Sequence, residues 1–405
     1  MSEARTPMEE HLKIIQEKHD NLPKIMRNAG IDCWIIFARE TSTTPDSSMQ
    51  FVVGGDVVLS SAFIFALQSD KSLKKVALVA NFDAEAMRKK RIWDEVIGYE
   101  KGIKSHLKEK LSEINPHKIG LNYSIDDYSA DGLTHGMFLQ LQETIPDYRN
   151  KFTSARKIVN AIRSNKSQTE IDLIRKACEI TMEINRDITK QLRLGQNELE
   201  IQQMFHTEVE KRGLGFSWQK MGNPAVDVSP KEFGHVLPQS NNVTVKNCTL
   251  HNDFGILYHG YGSDLQRMWY FGAKEDVSDE LRHAMDTVVH GIRLGADAIK
   301  PGIPGFEVDK IVREYQIFRG YDEFKHGLGH QVGIMAHDGG GGLFPLWERY
   351  RDLPKMNIEV GQVYTLEPSL RTKNYGSVSL EEMVVVTEAG CKFLVPPAED
   401  FIYIY

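Results

Sequence analysis

Two aspartates, Asp253 and Asp264, stand in apolar, strand-like runs on either side of His259-Gly260. A two-residue hairpin turn there fixes the register, so that Tyr258 faces Tyr261, Gly255 faces Asp264 and Asp253 faces Gln266. Asp253 and Asp264 become diagonal neighbours on one sheet face, with Cβ atoms roughly 7–8 Å apart or less. Bare carboxylates that close repel, so a shared cation accounts for the pair at least as well as two solvent-facing strand acids do, and Gly255 leaves room for it. The chain is therefore expected to build an antiparallel sheet that carries these polar residues.

The rest of the sequence supplies the frame. Before residue 150, a helical stripe over residues 7–30 (Leu12, Ile15, His19, Leu22, Ile25, Met26) ends at Gly30, and the apolar run Cys33–Ala38 follows. Apolar runs at 57–67, 76–80 and 119–122 alternate with polar helical stretches, which predicts a small α/β domain with a mostly parallel sheet. From Ser167 a long amphipathic helix begins, and helices are expected over 197–212, 279–296 and 305–318. Strands are expected at 246–258, 263–271, 361–367 and 378–387, giving an α+β second domain. The division is set at residues 1–156 and 157–405.

Net charge is −7, from 49 basic and 56 acidic residues, which offers no general attraction to phosphate backbones or anionic lipid and argues against nucleic acid as a partner. No apolar stretch reaches the roughly 20 residues of a membrane span. Cys33, Cys178, Cys248 and Cys391 lie far apart without a CxxC pair, and the charged N-terminal segment does not read as a signal peptide, so a reducing, cytoplasmic setting is expected.

Three further segments carry chemistry. His326-Gly-Leu-Gly-His330 and His337 place three imidazoles within twelve residues, in a Gly-rich stretch unlike a helical HExxH site. Val363-Tyr-Thr-Leu-Glu367-Pro368 ends a strand on a carboxylate. Glu381-Glu382 opens an apolar strand in which period 2 turns only one acid inward. Two Asp, one His and two Glu form an oxygen-rich set suited to two divalent ions of the manganese, cobalt, zinc or iron kind, manganese being the first expectation. Such a pair of ions lowers the pKa of a shared water, giving a bridging hydroxide that suits hydrolysis.

This order of ligands, with the flanks DFG, HGLGH and LEP, resembles the M24 pita-bread metallopeptidases, which include methionine aminopeptidases, aminopeptidase P and prolidase. The resemblance spans about residues 157–395, and the two-domain length is similar to prolidase, aminopeptidase P or creatinase. It implies a pita-bread catalytic domain behind a smaller creatinase-type α/β domain, a homodimer, and an exopeptidase acting on short peptides, with Xaa-Pro bonds as the expected target. The alternative is a hydrolase or lyase acting on a non-peptide small molecule.

Carried over by position, the resemblance makes Asp253, Asp264, His330, Glu367 and Glu381 the metal ligands. Glu367 also serves as proton carrier, and His235 and His337 as catalytic histidines. His326 would line the pocket. His251, on the Asp253 face, would reach the metal or the substrate, or else be a hydrogen-bonded core histidine. Arg371 is a candidate for a substrate carboxylate. One departure stands out: Ser379 occupies the place of the Arg that prolidase and aminopeptidase P carry two residues before the last Glu.

Overall fold

The computed structural model describes residues 7–230 and 237–405, so His235 lies outside the described residues. The chain divides into two compact units between Ser167 and Gln168. The helix Arg156–Ser164 belongs to the first unit, where it packs on the helix Pro7–Ala29, with the buried Lys18 ammonium donating to the carbonyls of Ile162 (2.7 Å) and Asn165 (2.9 Å). Ile15, His19, Leu22 and Met26 form the buried stripe of Pro7–Ala29, and Gly30 closes it with φ +68°.

The first unit is built on a six-stranded sheet in the order Glu95–Tyr99, Leu73–Ala80, Ser61–Leu67, Cys33–Ala38, Ile119–Leu121, Phe152–Ser154. Its pairing is mixed. Cys33–Ala38 runs parallel to Ile119–Leu121 but antiparallel to Ser61–Leu67, which in turn pairs antiparallel with Leu73–Ala80. Three of its five pairings are parallel, as the mostly parallel sheet expected from the sequence requires, including Leu73–Ala80 with Glu95–Tyr99 and Ile119–Leu121 with Phe152–Ser154. The antiparallel pair Ser61–Leu67 and Leu73–Ala80 is joined by a tight turn and not by a helical crossover, with Asp70 Oδ1 accepting from Ser72 N–H at 2.9 Å and Lys71 at φ 70°.

In the second unit, the helices Gln168–Thr189 and Glu198–Lys211 cover one side of a four-stranded sheet ordered Ile402–Ile404, Leu265–Phe271, Thr249–Phe254, Ala225–Val228. Glu198–Lys211 starts with a capping box in which Asn197 and Glu200 satisfy each other's backbone N–H. Ile184, Ile201 and Phe205 pack there against Leu250, Phe254 and Trp269. On the other side Met268 and Tyr270 join a second core. It is formed by the helices Asp279–Ala298 and Gly305–Phe318 with the strands Val363–Leu366 and Glu382–Thr387.

Strand alternation decides what faces that second side. Thr249, His251 and Asp253 alternate with the core residues Leu250 and Phe254, while Gln266 sits directly opposite Asp253. The polar face of the sheet is thus buried between two apolar cores. Among the described residues, no helix is long and apolar enough to cross a membrane.

Candidate metal centre

The hairpin forms in the expected register. Tyr258 pairs with Tyr261 and Asp253 with Gln266, and His259 (φ 47°) and Gly260 (φ 84°) supply the two positive φ angles of the turn. Gly255 serves a different purpose from the one read in the sequence. A β-carbon there would collide with the Ser263 carbonyl, so the glycine permits a close crossing of backbones and leaves no space for an ion.

The segment 326–331 is extended, not helical, and runs beside the strand Val363–Leu366. Thr365 N–H donates to the His330 carbonyl at 2.9 Å and Glu367 N–H to the Leu328 carbonyl at 2.8 Å. Gly329 is required because a β-carbon would strike the Thr365 carbonyl. His330 N–H in turn donates to Thr365 Oγ1 at 3.1 Å.

These elements bring the five predicted ligands together. His330 Nε2 lies 3.3 Å from Glu367 Oε1, 3.8 Å from Asp264 Oδ2 and 4.0 Å from Glu381 Oε1. The Asp264 carboxyl is within hydrogen-bonding reach of those of Asp253 and Glu381. Asp264, His330 and Glu381 by themselves form a group able to hold one ion. His337 is exposed, with its ring 4.3 Å from that of His330 and nearly perpendicular to it.

Glu381 and Glu382 are both buried, on opposite faces. Glu381 joins the cluster. Glu382 meets Arg267 Nη1 and Nη2 at 3.1 Å each and accepts from Ala398 N–H at 2.7 Å. The sequence expectation that one acid points inward holds for the cluster, and the other is neutralised by a fully buried guanidinium.

The electrostatics are those of a cation site. Burial, then the neighbouring carboxylates, raises the pKa values of Asp264, Glu367 and Glu381 well above the ordinary range. Burial and the adjacent His337 push His330 down to about 3, so its imidazole is neutral. Among the described residues no lysine or arginine pairs with Asp264, Glu367 or Glu381, and neither oxygen of Glu381 finds a hydrogen-bond donor in good geometry. Hard carboxylate oxygens with one neutral nitrogen fit divalent ions of the manganese, cobalt, zinc or iron type, and none of the five side chains is a thiolate.

The other candidates fall as follows. His326 is half-buried, with Nε2 2.7 Å from Ser369 Oγ and Nδ1 2.7 Å from the Gly327 carbonyl, and burial lowers its pKa. Arg371 is exposed at the end of the strand Ser369–Arg371. His251 is 3% exposed and stands behind the carboxylates, with its ring nitrogens facing Asp227 Oδ2 (3.2 Å) and Gln266 Oε1 (3.0 Å). Ser379 is buried and donates to the Pro368 carbonyl at 3.2 Å. Thr365, Gln266 and Asp227 were not singled out in the sequence. Only Gln266 had a signal there, since the hairpin register already set it opposite Asp253.

Residues 172–388, more than half of the chain, match metallopeptidase family M24. The chain belongs to that family. Residues 18–165 match the creatinase/prolidase N-terminal domain, so this M24 protein carries a creatinase-type domain ahead of its pita-bread domain. It is 24% identical to a Xaa-Pro dipeptidase of Pyrococcus horikoshii over 96% of this chain and 100% of the relative. A Staphylococcus haemolyticus protein described as an uncharacterized peptidase is 30% identical, over 58% of this chain and 64% of the relative.

Among solved structures, a Xaa-Pro dipeptidase from Bacillus anthracis shares the M24 fold with a TM-score of 0.73 at 22% identity, covering 96% of this chain and 100% of that one. A dipeptidase from Mycobacterium ulcerans reaches a TM-score of 0.75 at 15% identity, covering 97% and 98%.

Proposed function

We propose that this M24 metallopeptidase is a dinuclear exopeptidase that hydrolyses short peptides at Xaa-Pro bonds, with Asp253, Asp264, His330, Glu367 and Glu381 as its ligands. The observation that carries the reading is the convergence of these side chains, from four separate stretches of chain, without a protein cation on Asp264, Glu367 or Glu381 among the described residues. Two divalent ions bound there supply positive charge that polarises a scissile carbonyl and lowers the pKa of water.

The chain's own groups do the rest. Glu367 takes the proton of the attacking water and returns it to the leaving nitrogen, which for a prolyl residue is a secondary amine that must be protonated to depart. Thr365 Oγ1, 3.5 Å from Glu367 Oε1, helps to hold that carboxylate. His337, exposed beside His330, donates to the oxyanion that develops on the carbonyl. His235 would share this task.

One observation favours a second reading. Ser379, in place of the expected Arg, spends its hydroxyl on the Pro368 carbonyl and offers no charge to a peptide carboxylate. A non-peptide small molecule hydrolysed or cleaved on the same scaffold fits that substitution. The deciding experiment is metal-depleted protein reloaded with manganese, cobalt or zinc and offered Xaa-Pro dipeptides, longer Xaa-Pro peptides and non-prolyl controls. Release of amino acid from Xaa-Pro substrates is expected; cleavage confined to non-prolyl substrates removes the specificity, and no cleavage of any peptide favours the second reading.

A further inference from the structure

We propose that Gln266 is a positioning residue for Glu367, held in place by a buried relay that runs through His251 to Asp227. The inference rests on the metal-centre reading above and extends it to residues that are not ligands.

Three adjacent strands deliver the relay. Asp227 pairs directly with His251 across Ala225–Val228 and Thr249–Phe254, and Gln266 pairs directly with Asp253 across Thr249–Phe254 and Leu265–Phe271. Paired residues share a sheet face, and so do residues two apart, which puts Asp227, His251, Asp253 and Gln266 on one side. The atoms are in sequence: Asp227 Oδ2 to His251 Nδ1 is 3.2 Å, His251 Nε2 to Gln266 Oε1 is 3.0 Å, and Gln266 Nε2 to Glu367 Oε2 is 3.5 Å. Exposure along the chain of contacts is 2%, 3% and 7% for Asp227, His251 and Gln266, so little water competes.

The direction of the relay follows from valence. A carboxylate only accepts, so the Gln266 atom facing Glu367 is its NH2 group. Its oxygen then faces His251, whose Nε2–H donates to it. Nδ1–H donates in turn to Asp227 Oδ2, which makes the ring an imidazolium paired with that buried carboxylate; so anchored it cannot turn away, and the Gln266 amide cannot flip without setting its oxygen against a carboxylate.

Glu367 is thereby gripped on both oxygens, with Oε1 beside His330 and Thr365 and Oε2 beside the Gln266 amide. The backbone of Gln266 reaches the other acid as well, its carbonyl accepting from Glu381 N–H at 3.4 Å. A neutral donor suits this place. A lysine would displace a cation, and another acid would add to the repulsion, whereas an amide orients carboxylates and leaves their charge available.

The test uses full-length protein, metal-depleted and titrated with Mn(II) or Co(II). Gln266→Met keeps the length of the side chain and removes the donor. Expected are a preserved fold, a roughly 10–100-fold weaker affinity for at least one ion, a changed visible spectrum of the Co(II) form, and a lower kcat with little change in KM. His251→Leu should do the same, and the double variant should be no worse than the more impaired single one, because both act through one amide. Where His251→Leu fails to fold, Gln266→Met decides alone. Ion affinities and a Co(II) spectrum equal to wild type in Gln266→Met overturn the relay while leaving the metal centre standing. A wild-type protein that binds neither ion overturns both.

Discussion

His330 Nε2 lies 3.3 Å from Glu367 Oε1, yet the two do not form an ion pair at neutral pH. The imidazole is pushed down to about 3 by burial and by His337, so it presents a lone pair and no charge. Glu367 is left in a negative neighbourhood with no lysine or arginine paired to it among the described residues, in which Asp264 and Asp253 raise its pKa after burial has done so. Held by adjacent backbone hydrogen bonds from Thr365 and Glu367 N–H, the two groups stand where the proposed function needs ligands of one ion.

Glu367→Gln should therefore keep the fold and lose the reaction. The amide has nearly the same shape but cannot take up and pass on a proton at neutral pH, so turnover is expected to fall by about 10²-fold or more. One of two ions should also be retained less well after dialysis. Steady-state rates together with elemental analysis check this; near-normal turnover rejects the proton-carrying role.

The neighbouring acids Glu381 and Glu382 should behave in opposite ways. Glu382→Gln leaves the Arg267 guanidinium buried without its counter-charge, at a cost of about 3–5 kcal/mol, while ion stoichiometry at saturation stays at the wild-type value. Glu381→Gln removes a carboxylate that repels Glu367 and Asp253, so the metal-free protein should be at least as stable, and ion binding should be lost. Thermal unfolding of metal-depleted protein and ion counting separate the two. The reverse pattern would mean that the strand register places the other acid in the centre.

Gly329→Ala tests the close approach of the His330 segment to the strand Val363–Leu366. The added methyl meets the Thr365 carbonyl, so the segment must shift, with a loss of about 1–3 kcal/mol and weaker ion binding because His330 moves with it. Gly302→Ala is the matched control. It has φ +92° with open space around it, so an added methyl costs only backbone strain of about 1–3 kcal/mol, with ion affinity unchanged. Equal effects of the two on ion affinity would dissociate Gly329 from the site.

Much of this was legible because it depends on short-range geometry. His259-Gly260 sets a hairpin register that carries through to Asp253 and Gln266, and the acids at 367 and 381 stand at strand ends where alternation fixes their faces. The Asp227–His251 contact was not legible, because it depends on which strand lies on the far edge of the sheet, and residues 225–228 form a short strand whose partner no local pattern names. The same limit applies to Arg267 and Glu382, 115 residues apart. In the first unit the alternation of apolar runs was read as a mostly parallel sheet, which holds for three of five pairings, whereas the turn at Asp70–Ser72 joins two strands directly as an antiparallel pair. The purpose of Gly255 also needed the structure, since only the fold shows that the Ser263 carbonyl fills the space beside it.

Ion-dependent stability should itself depend on pH, with a definite sign. In the unfolded chain the carboxyls ionise near pH 4. In the folded, metal-free protein Asp264, Glu367 and Glu381 hold their protons to higher pH, so above about pH 4 the folded state binds more protons than the unfolded one and stability falls as pH rises. Divalent ions bind the ionised acids and remove this loss. The rise in melting temperature on adding Mn(II) should thus be small at pH 5 and grow towards pH 8. At a free concentration a thousandfold above Kd the gain is about 4 kcal/mol. His19 works in the opposite direction: burial lowers it to about 4, so its contribution is present above pH 6.5 and lost as pH falls through 4. That contribution is the same with and without ion and cancels in the difference. A shift in melting temperature that is constant from pH 5 to pH 8 would mean that the ions bind somewhere other than among these buried acids.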